Sequence, residues 1–148
     1  MKKTILFING IIYIICFIIN VSNLFLSNFN YDTLILIFFS VLCLIPIYLI
    51  NEKKHLKRAT TTLCFINLIQ AFSFIFFGFT YKLLIGPDLS AYFINSGDFI
   101  VEYSAKVFNI YAYFNYVKGG KVFAIGFNSI HIFFFLYYYF EIKKQSKA

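Results

Sequence analysis

Residues 86–120 read GPDLSAYFINSGDFIVEYSAKVFNIYAYFNYVKGG, and the way this stretch folds decides the architecture. Gly86-Pro87-Asp88 is a turn signal that ends whatever precedes it. Beyond Ser96-Gly97-Asp98, the residues Phe99, Tyr103, Val107, Ile110, Phe114 and Val117 recur at helical spacing. Glu102 and Lys106 stand four apart on one flank of that stripe, a favourable pair on a helix. Asp98 is placed to cap the first turn. The spacing therefore predicts an amphipathic helix over about residues 98–117, lying on the outer membrane interface with Tyr103, Tyr111, Tyr113 and Tyr116 at headgroup level. Gly119-Gly120 would then act as a hinge. The rival reading, a further membrane span, would put Glu102 and Lys106 into hydrocarbon and is the weaker one.

Four apolar runs lie on either side of this segment, each long enough to cross a bilayer, which takes about 20 residues at a rise of 1.5 Å. They cover residues 4–26, 33–50, 59–85 and 121–140. The second carries Pro46, which removes one helix hydrogen bond and predicts a kink. The first has the basic start and apolar stretch of a signal sequence, but no small-residue cleavage site, so a retained helix is expected. Composition agrees: hydrophobic residues make up 61% of the 148 and charged ones 13%, too much apolar surface for a soluble sphere of this size to hide. The expected fold is all-α, a single membrane domain over residues 1–148 built as a bundle of four transmembrane helices with the amphipathic helix between the third and fourth.

The connections set orientation. Lys2 and Lys3 precede the first run, Lys53, Lys54, Lys57 and Arg58 fill the second link, and Lys143, Lys144 and Lys147 follow the last. These nine of the thirteen basic residues share one side if there are four spans, and with Glu52 and Glu141 they account for the whole +7 charge. The positive-inside rule makes both termini cytoplasmic and points to a bacterial cytoplasmic membrane. Lys53, Lys54, Lys57 and Arg58 form a basic loop expected to meet anionic headgroups, and His55 sits solvated among them. Basic residues clustered between apolar runs also exclude a nucleic-acid function.

The few polar residues inside the runs align on helix faces. Asn9, Cys16 and Asn20 share a face of the first helix; Ser40 lies on the second, Asn67 and Gln70 on the third, and Asn128 and His131 on the fourth. Small and polar residues let membrane helices approach and hydrogen-bond, so this set is read as an inward-facing polar seam. His131 is its ionisable member, expected to be neutral when buried and to meet Asn67, Gln70, Cys16 or Asn20. Gly126 and Ser129, on the other side of that helix, suggest a second helix contact between subunits.

Catalytic chemistry finds little to work with. No carboxylate is central in a run, as proton-coupled export would need. Cys16, Cys43 and Cys64 form no CxxC pair. Ser129 lies away from His131, and Ser40 lacks the GxSxG context of a nucleophile. Metal hydrolysis would need more His, Asp and Glu than the chain can gather, and no phosphate-binding glycine motif occurs. No catalytic residue, cofactor or metal is therefore expected. The first functional expectation is a non-catalytic membrane protein that acts by assembly with a second copy or another membrane protein, as a subunit, an immunity or defence component, or an oligomeric pore. The second is a carrier or channel that takes a small neutral or lipid-like solute through the seam. The third is a lipid-modifying enzyme.

Overall fold

The computed structural model describes residues 3–26 and 31–146; Lys2 and Lys147 of the charge argument lie outside them. Among the described residues the chain forms four helices and four strands. The order is α1 (Lys3–Leu26), α2 (Tyr31–Asn51), α3 (Leu56–Ala71), β1 (Phe72–Phe76), β2 (Phe79–Asn95), β3 (Phe99–Tyr116), β4 (Phe123–Asn128) and α4 (Ser129–Gln145). The all-α expectation is overturned: the fold is mixed α/β, with one antiparallel sheet and two helices, α1 and α2, long and apolar enough to cross a membrane. The chain divides into two units, one of residues 1–66 and 134–148, the other of residues 67–133.

The first unit is helical. α1 and α2 pack antiparallel: Cys16 meets Ser40, Tyr13 bonds Cys43, and Gly10 lies against Ile47, pairs whose numbers sum to a nearly constant value. α2 ends in a Schellman cap. The Lys54 amide donates to Leu49 O and the Lys53 amide to Ile50 O, with Lys53 at φ 54 taking the left-handed position. The carbonyl of His55 then accepts the Ala59 amide and opens α3. Further along, Asn9 Nδ2 donates to Tyr138 Oη at 2.6 Å, and Gln145 Nε2 donates to Thr60 Oγ1 at 3.3 Å, tying α4 to α1 and α3.

In the second unit the expected third span stops short. α3 ends at Ala71, and the run expected to continue it to Ile85 becomes the β1–β2 hairpin. The reason lies in Phe72–Phe79. Aromatic and β-branched side chains dominate there and are poor helix formers, and Phe77 and Gly78 both take positive φ, 49° and 82°. Two such residues between Phe76 and Phe79 make the type I′ turn that matches strand twist. A Cβ on Gly78 would stand 2.0 Å from Val117 O, so only glycine fits.

The helix expected over 98–117 is likewise replaced by strand β3, paired with β2 from Phe79↔Tyr116 to Asn95↔Phe99. Eleven of its eighteen residues are Phe, Ile, Val or Tyr, which suit a pleated surface. Asp98 is no helix cap: with Ser96 and Gly97 it forms the hairpin loop, where Gly97 takes φ 124° and its amide meets Asn95 Oδ1. The expected fourth span also changes. Residues Phe123–Asn128 are strand β4, and α4 begins only at Ser129.

The pairings close on themselves. β1 pairs with the first part of β2, β4 pairs with β1, and β4 also pairs with the last part of β2, whose ladder shifts between Gly86 and Asp88. One bent strand thus flanks a small barrel-like circuit, and β3 lies along its other edge. Gly126 faces the circuit's interior, not a subunit helix: its missing Cβ would meet Ser73 Oγ and the Tyr92 ring.

Candidate functional site

Where β2 passes from β1 to β4, residues 83–89 have no strand partner on the inner edge among the described residues, so their backbone groups need side-chain partners. Gln70, in the last turn of α3, accepts the Ile85 amide on Oε1 at 2.8 Å. The Ile85 backbone also acts on the imidazole of His131, in the first turn of α4, favouring its charged form. Asn128 Nδ2 donates to Pro87 O at 3.2 Å. Polar side chains from both helix ends stand in for the missing strand.

Asp88 organises the next layer. It is buried at 1% exposure, and its carboxylate accepts Ser90 Oγ, Ser104 Oγ at 3.2 Å, Asn109 Nδ2 at 2.8 Å and Asn128 Nδ2 at 3.4 Å. Asn128 is also the N-cap of α4, its Oδ1 accepting the amides of Ile130 at 3.0 Å and His131 at 3.2 Å. Its amide group thereby makes all four of its hydrogen bonds. His131 completes the chain, with Nδ1 3.1 Å from Asn67 Oδ1. Burial pushes its imidazole down to about 4, against the opposite pull of the Ile85 backbone and the Asp88 charge.

The eight seam residues are all buried, but the structure gathers them into two separate networks. In the helical unit, Asn20 Nδ2 donates to Cys16 O at 2.8 Å and to Cys16 Sγ at 3.2 Å. Ser40 Oγ lies 3.2 Å from the same sulfur, while Asn9 bonds Tyr138. Asn67, Gln70, Asn128 and His131 belong to the β unit. Of the four neighbours expected for His131, the side chain it meets is that of Asn67. Lys53, Lys54, Lys57 and Arg58 are exposed. Sequence reasoning missed Asp88, which reads only as part of a turn; its signal was Ser90, Ser104, Asn109 and Asn128, scattered polar residues in otherwise apolar strands.

Two more features complete the β unit. A cavity of about 260 Å³ opens inside the strand circuit, lined by Ser73, Thr80, Lys82, Tyr92 and Glu102 among apolar neighbours. Lys82 Nζ donates to Tyr92 Oη at 2.6 Å and lies over the Tyr92 and Tyr111 rings. The other feature is the edge of β3. β1, β2 and β4 each have strand neighbours on both sides, whereas β3 pairs only with β2, leaving the outer edge of an 18-residue strand open among the described residues. That edge is apolar and uncovered, with Val107 93% and Tyr103 81% exposed. Among the described residues no three His, Cys, Asp or Glu side chains gather as a metal site. Comparison with protein-family models, curated proteins and solved structures finds no match for this chain.

Proposed function

We propose that this chain is a membrane-anchored, non-catalytic assembly protein, in which the α1–α2 hairpin is the anchor and the β3 edge is the docking surface. The open edge of β3 carries the reading. A long, exposed, apolar edge strand is a template for strand addition, and proteins that do not use such an edge blunt it with charge, proline or a short strand. Here it has only Glu102 and Lys106 among its eighteen residues and no proline.

Length and surface support the anchor. α1 and α2 have 24 and 21 residues, about 36 and 32 Å at the helical rise, enough for a hydrocarbon core of about 30 Å. Phe7, Ile14, Ile18, Phe38 and Ile45 are exposed on them. The basic α2–α3 link would then lie at cytoplasmic anionic headgroups. The polar residues favour a structural role over a solute path, because they are spent on one another and on the β2 backbone.

Extraction of the chain with its surrounding lipid in polymer-bounded nanodiscs, followed by mass measurement, tests this. The reading expects a particle holding more protein than one 17.4 kDa chain, reduced to a single chain by Tyr103→Lys with Val107→Lys. Both positions are so exposed that folding should survive the change. A wild-type particle with one chain and no other protein would overturn it.

A further inference from the structure

We infer that the occupant of the β3 edge is β3 of a second copy, paired antiparallel about Ser104; this rests on the reading of β3 as a docking edge. The strand is self-complementary in charge and shape. Glu102 and Lys106 are the charged residues of the strand, and Ser104 lies midway between them. With Ser104 opposite Ser104 of the second copy, each Glu102 faces a Lys106, giving two symmetric ion pairs on one face of the joined sheet.

Other registers lose this. A twofold centred on residue 102 sets Glu102 against Glu102, one centred on residue 106 sets Lys106 against Lys106, and a parallel in-register pairing does both. On the opposite face the chosen register sets Tyr103 against Ala105 and Val101 against Val107, a large side chain against a small one and two β-branched neighbours together. The β2–β3 ladder shift at Gly86/Asp88 falls opposite residues 107 and 108, where an extra residue bends β3. The regularly paired core is therefore residues 102–106, which is symmetric about Ser104.

The charges make a decisive test with the full-length chain in mild detergent. Glu102→Lys sets the introduced ammonium against Lys106 of the second copy, and Lys106→Glu sets the introduced carboxylate against Glu102. Each variant should therefore dimerise about tenfold or more weakly than wild type. The two variants mixed together should regain wild-type association, and so should the double exchange Glu102→Lys with Lys106→Glu, because each restores opposite charges in the same register. A Ser104→Cys chain should form a disulfide-linked dimer on mild oxidation, and a Val101→Cys chain should not. Failure of both charge rescues, or equal crosslinking at 101 and 104, would overturn the inference. A nanodisc particle holding one copy with a different protein at β3 would also overturn it while leaving the docking-edge reading standing. One containing this chain alone as a monomer would remove both.

Discussion

Asp88 holds its site through neutral donors: two serine hydroxyls and two asparagine amides converge on one buried carboxylate. Hydrogen bonds to a charged acceptor contribute about 1.5–3 kcal/mol each, and donors left without it lose their water as well. Asp88→Ala is expected to cost about 3 kcal/mol or more and Asp88→Asn less, since the amide keeps one accepting oxygen. The chain has no tryptophan, so thermal unfolding followed by far-ultraviolet circular dichroism in mild detergent is the measurement. An unchanged midpoint in Asp88→Ala would show that the cluster is idle. His131 has a pH signature. Its folded-state value of about 4 lies below the ordinary 6.5, so the unfolded chain binds the extra proton first. Its contribution is complete above about pH 6.5 and is lost as pH falls toward 4, at most about 3 kcal/mol. His131→Leu should flatten the midpoint between those values; an equally steep acid loss in the variant would assign it to other groups.

At the scale of elements, two glycines and one ladder separate strand from helix. Gly78 completes a two-residue turn against the Val117 carbonyl, so Gly78→Ala brings both a strained φ and a backbone clash. It should lower stability by about 2 kcal/mol or more, whereas Gly97→Ala, with open space around its Cβ, should cost only its φ penalty, about 1 kcal/mol. Comparable melting of the two variants would contradict the turn geometry. The helical period in residues 99–117 is real as a count but does not decide the element. Phe99, Tyr103 and Val107 also fall at even spacing, so the same residues line one face of a strand. The local residues that favour strand are the Phe, Ile, Val and Tyr of β3 and the Ser96-Gly97-Asp98 loop. Their force depends on a partner, β2, that the expected third span partly consumes as helix.

For the whole molecule, the anchor reading predicts that the chain stays with the membrane pellet after alkaline extraction. Ile18→Arg combined with Phe38→Arg, each costing about 2.5–3.5 kcal/mol near the middle of a span, should release it. Release of the wild-type chain would count against the α1–α2 anchor. Residue order alone was enough to establish that α1 and α2 are long apolar helices and that a basic link joins α2 to α3. Each of these follows from neighbours within one or two helical turns. Long-range pairing decided the rest: that Phe72–Ile75 pairs with Ala124–Phe127 some fifty residues away, that Gln70 and Asn128 serve the β2 backbone, and that among the described residues β3 ends with an open edge. Hydropathy sums apolar content along the chain and is blind to whether the backbone bonds within a segment or across to another. A helix satisfies its own amides locally, whereas a strand takes its partners from distant sequence, so aromatic apolar runs that pass for spans become a sheet only once those partners meet.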